Sequence, residues 1–339
     1  TPDSVSLCFE LPPALRADYA FVPGQHLALR THLDGEEVRR SYSICSGLDD
    51  GELRVAIKKV GGGRFSRWAN EQLKAGDAID VMTPDGRFTV PVDAQHAKHY
   101  VAFAAGSGIT PILSLAKTLL RREPRSRLTL VYGNRRAATS MFQEELEDLK
   151  DRHLARFALY NVFSREEQEV DFFNGRIDAT KVRAFLDTLI PVDSIDEAFV
   201  CGPASMIDEV ESALHAAGVP PANVHVERFG TPGAAVAQAE PAADASLAKV
   251  TFIVDGLKRE VQFQREHGSL LEAGAAAGLD LPFSCKGGMC CTCRARLLEG
   301  QVKMRKNFAL EQADLDAGFV LTCQSYPLSE RVLLSFDDR

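Results

Sequence analysis

The chain has 339 residues, 45% of them hydrophobic and 25% charged, a composition that excludes a disordered or collagen-like protein. That length exceeds one ordinary core, so two or three domains of about 100 to 150 residues are expected. A formal charge of -8 argues against a nucleic-acid binder, because phosphate recognition needs a basic face.

The opening stretch TPDSVSLCFELPP has neither a basic nor an apolar leader region, so no secretory signal is expected, and the missing Met suggests a trimmed start. Residues 1–97 then show short alternating runs (HLALR, ELRVAIKKV, AIDVMTP) separated by PG, DG, AGD and PDG. This pattern predicts a small antiparallel β-barrel. Within it, RSYSICS begins at Arg40. It offers a cation for a diphosphate, an aromatic plate for a fused ring and a hydroxyl able to reach a ring nitrogen. GGGRFSRW, Gly61 to Trp68, feeds a glycine turn into a helix whose first N–H groups form an anion site around Ser66.

Over residues 98–229 apolar runs alternate with amphipathic segments, from YVAFAAG and TPILSLAKTLL through RLTLVYG and EAFVCG to NVHVERF. Buried strands followed by helices predict a doubly wound parallel sheet. The uncharged stretch Tyr100 to Ala116 is shorter than the ~20 residues of a membrane span and holds two Gly and a Pro, so no membrane helix is expected. In AAGSGITPILSL, Gly106 and Gly108 allow a diphosphate close to the backbone. VFSR and CGPASM fall at the ends of later strands, where open α/β sheets bind ligands. There Cys201 sits at a strand terminus, Gly202 permits a tight turn and Pro203 suits a first helical position.

In the second βα turn stands Asn134-Arg135-Arg136, where a site selecting NAD would place an acid for the ribose hydroxyl. Two guanidinium groups suit a 2′-phosphate instead, so NADPH rather than NADH is the expected donor, with Ser140 and Gln143 opening the next helix as a capping box. The alternative is that both arginines face solvent and either nucleotide is accepted.

GTPGAAVAQAEPAADASLA, residues 230–248, reads as a linker. Beyond it, KVTFIVDGLKREVQFQRE alternates on both sides of Asp255-Gly256 and predicts a hairpin. A helix SLLEAGAAAGL, a cysteine loop and the strands FVLTCQSYP and RVLLSF follow, completing a compact α+β domain over residues 249–339.

In CKGGMCCTC, Cys285, Cys290 and Cys293 give C-x4-C-x2-C, with Cys323 as a distant fourth. This is the plant-type spacing for a [2Fe-2S] cluster. Lys286, Gly287 and Gly288 let the loop curl so that its N–H groups point at sulfur. Zinc is the alternative, though structural zinc draws on two close ligand pairs and this sequence has one. Cys291 is the spare, since choosing it would break the spacing, and Cys8 and Cys45 are read as small apolar fillers. Five of eight cysteines crowd into the last sixty residues, unlike a disulfide scaffold, so reduced thiols in a cytoplasm are expected.

The segment from Lys249 onward resembles a plant-type ferredoxin, a β-grasp fold. Arg40-Ser41-Tyr42-Ser43, Gly63-Arg64-Phe65-Ser66, Gly106-Ser107-Gly108-Ile109-Thr110-Pro111 and Cys201-Gly202-Pro203, in that order, resemble the ferredoxin-NADP reductase superfamily. The resemblance implies FAD in the barrel, with Arg40 and Ser66 on its diphosphate, Tyr42 stacked on the ring, Ser43 near the reactive nitrogen, and Ile57, Lys59, Gly63, Arg64 and Phe65 completing the site. Phe229 is implied as the aromatic cover of the other flavin face, with Glu227 nearby. For the nucleotide it implies Gly106, Ser107, Gly108, Thr110 and Pro111, with Cys201 flanking the nicotinamide beside Gly202, Pro203 and Met206. Ser43, Cys201 and Glu227 would stand closest to the chemistry.

So read, the chain is a reductase that moves electrons from NADPH through flavin and cluster to a di-iron oxygenase. A ring-hydroxylating dioxygenase as acceptor, with FMN as the flavin, is the near alternative. An iron–sulfur redox sensor and a zinc-bound interaction module are the alternatives of other classes. One further feature is a basic run in an acidic protein: Lys286, Arg294, Arg296, Lys303, Arg305 and Lys306 against Glu299 alone. It could steer an acidic partner, or be an ordinary solvated strand face.

Overall fold

The protein is described by a computed structural model over residues 1–229 and 248–338. It divides into two compact units, Thr1–Val38 with Tyr42–Phe229, and the residues after Phe229 with Arg39–Ser41. The stretch read as a linker lies outside the described residues except for Ala248, which is buried and whose carbonyl accepts from the N–H of Phe263 at 2.8 Å. The ordered C-terminal unit thus includes a residue assigned from sequence to the linker.

The first unit opens with the barrel strands β1 (Ser4–Phe9), β2 (His26–Leu33), β3 (Glu36–Ser43) and β4 (Leu53–Lys58), then helix α1 (Arg64–Glu71) and the short β5 (Asp80–Val81). β1 pairs antiparallel with β4 from Ser4↔Lys58 to Phe9↔Leu53, and β3, β2 and β5 form a second sheet. The β2–β3 turn is Asp34-Gly35 with φ of 55° and 80°, the left-handed pair that a two-residue hairpin requires and that Asp-Gly supplies. A hydrogen bond from Cys45 N to Arg54 O at 2.8 Å and the bridge between Ile44 and Val55 link the two sheets. Leu27, Leu29, Val55 and Ile57, all at 0% exposure, fill the interior with Phe65 of α1.

The same unit continues as β6 (His99–Ala105), α2 (Ile109–Arg122), β7 (Arg127–Asn134), α3 (Gln143–Arg152), β8 (Phe157–Phe163), α4 (Ala179–Thr188), β9 (Glu197–Gly202), α5 (Ala204–Ala216) and β10 (Val224–Arg228). Its sheet runs β10-β9-β6-β7-β8, all parallel. Alternation along β6 sends Tyr100, Ala102 and Ala104 into one core and Val101 and Phe103 into the other, so helices cover both faces. From β6 the chain winds out to β8 and returns to β9, which puts the reversal of direction between β6 and β9. Ligands of such sheets bind beyond the carboxyl ends at that point. Arg54 with Glu145 at 2.7 Å, Arg122 with Asp49 at 3.0 Å, and Ser114 Oγ on the Ser46 carbonyl at 2.7 Å hold the barrel against the sheet domain.

The second unit contains β11 (Lys249–Val254), β12 (Leu257–Gln262), α6 (Leu270–Ala276), β13 (Arg294–Glu299), β14 (Val302–Met304), α7 (Gln312–Asp316), β15 (Phe319–Leu321), β16 (Ser325–Pro327) and β17 (Arg331–Ser335). The sheet order is β12-β11-β17-β13-β15, mixed because β11 and β17 run parallel. Ser269 caps α6 by accepting from Glu272 N at 3.2 Å, and a Cβ at Gly274 would lie 2.4 Å from Leu281 Cδ1, so a larger residue there would displace the Leu281 side chain. The hairpin at Asp255-Gly256 forms as read from sequence. Among the described residues no helix is long and apolar enough to cross a membrane.

Candidate redox sites

At the barrel, Gly63 is the N-cap of α1 and its first turn presents Arg64, Phe65 and Ser66. A Cβ on Gly63 would sit 2.6 Å from Ser66 Oγ and 3.1 Å from the Val60 carbonyl, so a side chain there would disturb the serine that closes the turn. Ser66 is spent on that closure: its Oγ accepts from Val60 N at 3.1 Å and donates to the Gly63 carbonyl at 3.3 Å. What the turn offers a diphosphate is therefore backbone N–H, as at other helix starts. Arg40 is half-buried, its guanidinium donating to the Arg39 carbonyl at 2.7 Å. Tyr42 is half-buried, its ring 5.5 Å from that of Phe65.

Several side chains expected at the flavin go elsewhere. Phe65, at 1% exposure, packs between Tyr42 and Trp68, so only its backbone remains available. Ile57 points into the barrel core for the same reason, as strand alternation demands once Val55 does. Arg64 is tied to the β2–β3 turn through Glu36 at 2.5 Å and the Leu33 carbonyl at 2.7 Å, and Lys59 pairs with Glu71 at 3.2 Å.

At the sheet reversal, the loop after β6 and the end of β9 touch. A Cβ on Gly108 would lie 2.1 Å from the Cys201 carbonyl oxygen, and Gly106 has φ of 56°. Ser107 is half-buried in this turn, Thr110 Oγ1 donates to the Ser107 carbonyl at 3.0 Å, and Pro111 is buried, so the last two shape the turn from within. Tyr132 braces it from the neighbouring strand, its hydroxyl donating to the Gly106 carbonyl at 3.1 Å. A Cβ on Gly202 would meet Met206 Cε at 2.7 Å, and Met206 is 6% exposed, packed in the core beneath the turn. Pro203 is the N-cap of α5, one position earlier than expected.

Cys201 opposes Ala104 of β6 and Glu227 of β10. It is fully buried, and burial together with the nearby Glu227 carboxylate pushes its thiol well above the ordinary range, so it stays protonated. Ser43 Oγ donates to Glu227 Oε2 at 2.8 Å. Burial raises the Glu227 carboxyl from about 4.5 to about 7, against the lowering effect of that hydrogen bond. The three residues expected nearest the chemistry are thus brought together, Cys201 and Glu227 as strand neighbours and Ser43 through its bond. Phe229 follows Arg228 and is 36% exposed, while Arg228 itself pairs with Asp208 at 2.7 Å.

At the carboxyl end of β7, Asn134 Nδ2 is a buried donor with no hydrogen-bond partner among the described residues. Arg135 and Arg136 are exposed there, and among the described residues neither guanidinium has a partner. Sequence reading missed a third arginine. Arg165 N donates to the Arg135 carbonyl at 2.9 Å, so the exposed Arg165 at the end of β8 stands beside the pair. VFSR had marked a strand end, but only the parallel pairing of β7 with β8 brings it next to Arg135. The expected capping box is absent: Ser140 Oγ bonds the Arg136 carbonyl at 3.1 Å, Gln143 bonds Glu147, and Phe142 in the left-handed region (φ 58°) precedes α3.

In the second unit the four cysteines are grouped two and two. Cys285 lies within hydrogen-bonding reach of Cys290, and Cys293 of Cys323. Each pair shares a proton unequally: the Cys290 thiol holds Cys285 down at about 5 while Cys290 is pushed up, and Cys293 likewise lowers Cys323 and is itself raised. Two such thiol pairs, close enough to act on one another, are what a two-iron centre requires. Gly287 N donates to Cys285 Sγ at 3.3 Å and Gln324 Nε2 to Cys323 Sγ at 3.6 Å, the N–H···S contacts that tune such a centre. Cys291 takes φ of 57° and turns its thiol to the Ala309 carbonyl at 3.3 Å. Lys286, with φ of 51°, supplies the curl between Cys285 and Gly287.

The residues present fit all three groups: a glycine cradle for a diphosphate in the barrel, a glycine turn with an orphan donor for a dinucleotide, and paired thiols for a two-iron cluster.

Comparison with known families agrees domain by domain. Residues 1–90 match the oxidoreductase FAD-binding domain, 103–212 the oxidoreductase NAD-binding domain and 252–328 the 2Fe-2S iron-sulfur cluster binding domain. The chain is 44% identical over 337 residues to one of the subunits of 1,2-phenylacetyl-CoA epoxidase from Escherichia coli (strain K12), covering 99% of this chain and 94% of that one. It is 33% identical to the ferredoxin reductase component of 3-ketosteroid-9-alpha-monooxygenase from Rhodococcus rhodochrous, over 99% and 93%. Among solved structures, phthalate dioxygenase reductase superposes with a TM-score of 0.56 at 24% identity, over 98% of this chain and 92% of that one, a likeness of fold. The chain belongs to the ferredoxin-NADP reductase superfamily, in the family of reductases with a C-terminal plant-type [2Fe-2S] ferredoxin domain, and moves electrons from NAD(P)H through FAD to the cluster.

Proposed function

We propose that this chain is the NADPH-dependent reductase of a phenylacetyl-CoA epoxidase system and delivers electrons to that system's di-iron oxygenase component. The observation that carries this reading is the 44% identity, along almost the full length of both chains, to a component of such an epoxidase. We assign residues 1–97 to FAD, 98–229 to the nucleotide and 249–339 to the cluster, joined by 230–248. With its thiols set for iron rather than disulfides, the protein belongs in a reducing cytoplasm.

When bound, the flavin supplies conversion of a two-electron hydride into single electrons, and the cluster a one-electron relay. The chain's own residues bind and orient. Arg40 and the first turn of α1 would hold the flavin diphosphate, Tyr42 and Phe229 its ring faces, and Gly106–Gly108 the nucleotide diphosphate. Cys201, kept as a thiol, acts by shape beside the nicotinamide and not as a nucleophile. Ser43 holds a hydrogen bond to Glu227 Oε2, and near neutral pH that carboxyl can carry or release a proton beside Ser43, where it could serve a bound flavin. Cys285, Cys290, Cys293 and Cys323 would ligate the cluster.

The test is reconstitution. The purified reductase, the oxygenase component of a phenylacetyl-CoA epoxidase, phenylacetyl-CoA and NADPH should yield the epoxide with NADPH consumed in step. A parallel mixture with a ring-hydroxylating dioxygenase should not couple. Coupling to the dioxygenase alone would overturn the assignment.

A further inference from the structure

Of the six cations between Lys286 and Lys306, three are exposed and make no ion pair: Lys286, which lies over the Phe283 ring at 4.9 Å, and Lys303 and Lys306, which have no partner among the described residues. Arg294 sits 3.5 Å from Asp314 and over the Phe319 ring at 4.4 Å, Arg296 is 4.0 Å from Asp338, and the half-buried Arg305 lies over Tyr326 at 5.4 Å. Glu299 is the only acid from residue 286 to 310.

Two of these lysines belong to backbone that encloses the cysteine loop. Gly288 packs against the next segment so closely that a Cβ there would lie 3.1 Å from the Lys306 carbonyl oxygen. Phe308 N donates to the Gly288 carbonyl at 3.0 Å, and Gln324 Nε2 holds the Lys286 carbonyl at 2.8 Å. The contacts that shape the loop therefore also fix where Lys286, Lys306 and Phe308 emerge. Phe308 is 51% exposed. Fully burying such a ring is worth about 1.5–3 kcal/mol, and about half of its surface remains open. A single exposed apolar residue is ordinary; an aromatic ring beside exposed lysines that pair with no carboxylate, on backbone packed against the cysteine loop, has the make-up of an interface anchor and its rim.

We infer that Phe308, Lys306 and Lys286 form the docking face for the protein electron acceptor, and that the acceptor offers an acidic surface around an apolar socket for Phe308. Charge complementarity selects this occupant. A chain of net charge -8 repels an acidic protein in general, so a local basic face would orient the encounter and bring the partner to the cluster loop. This rests on the reading above that electrons leave the chain for another protein.

Full-length Lys306→Glu and Phe308→Ala variants test it, with intact flavin and cluster absorbance as the check on folding. Ferricyanide reduction by NADPH and stopped-flow reduction of the cluster should stay within about twofold of wild type, while the KM for the epoxidase oxygenase component rises about tenfold in each variant. With the acidic acceptor cytochrome b5, Lys306→Glu should slow reduction about tenfold at low salt and flatten its salt dependence, and the basic acceptor cytochrome c should be reduced as fast or faster. Unchanged KM and cytochrome b5 rates in both variants would overturn the docking face. So would slowed cluster reduction that accounts for the loss, because the face would then serve the flavin side. A wild type that reduces cytochrome b5 in this salt-dependent, Lys306-dependent way yet fails with the epoxidase oxygenase supports the docking face and overturns the partner assignment.

Discussion

Ser43 and Glu227, 184 residues apart in the chain, are joined by a 2.8 Å hydrogen bond from the serine hydroxyl to Glu227 Oε2. The bond favours the carboxylate, yet burial wins and the group titrates near 7. Between about pH 4.5 and 7 the folded protein holds a proton here that the unfolded chain has released, so this site's contribution to stability falls as pH rises through that window and is level above it. Glu227→Gln removes the titration. Its melting temperature should match wild type at pH 5 and exceed it at pH 8, measured without added flavin; parallel curves would contradict the assignment. Ser43→Ala should move the wild-type decline to higher pH.

The cysteine grouping sets a second expectation. Cys290→Ser and Cys293→Ser should lose the visible cluster absorbance and the iron while keeping flavin. Cys291→Ser should retain both, because its thiol already donates to the Ala309 carbonyl. Iron analysis and spectra of the three variants decide it, and bleaching by Cys291→Ser would reverse the choice of ligands.

Gly108 is the tightest point of the nucleotide turn, where an added methyl would sit 2.1 Å from the Cys201 carbonyl oxygen. Backbone cannot swing aside as a side chain can. Gly108→Ala should cost at least the ~1–3 kcal/mol of an overpacked core and weaken NADPH binding with it, as read by thermal unfolding and by titration. A neutral substitution would mean that the two loops separate readily.

Arg135, Arg136 and Arg165 carry the expectation for nucleotide choice. Where one of them bonds a 2′-phosphate, its loss should remove about 2–3 kcal/mol of NADPH binding, roughly 30- to 150-fold, and leave NADH nearly untouched. Comparing kcat/KM for both nucleotides across Arg135→Ala, Arg136→Ala and Arg165→Ala identifies which does so. Equal losses for both nucleotides, or a wild type that prefers NADH, would exclude the phosphate-reading role.

Local chemistry was legible in the residues themselves. Asp255-Gly256 had to turn because few other pairs accept two positive φ angles, and the x4, x2 spacing of Cys285, Cys290 and Cys293 pointed to iron because a short loop holds its sulfurs at distances its length dictates. The unbroken apolar run YVAFAAG, followed by an amphipathic segment, marked a buried strand of a parallel sheet for the same reason, since such runs are properties of neighbours in sequence.

Which face a side chain takes is settled by what packs against it, and that depends on segments far away. Phe65, Ile57 and Met206 carried site patterns but were drawn into cores, and Ser66 spent its hydroxyl closing its own turn. Arg165 gained its place only because β8 lies parallel to β7, Glu227 met Ser43 only because β10 docks beside β9, and the thiols sorted as Cys285 with Cys290 and Cys293 with Cys323 only once the last strands brought Cys323 back to the loop. Sequence alone determined the domain order, the cofactor chemistry and the turns, since these follow from residue type and short spacing. The tertiary structure decided which of the marked side chains stay free to act, because strand order and core packing bring together residues that no local pattern links.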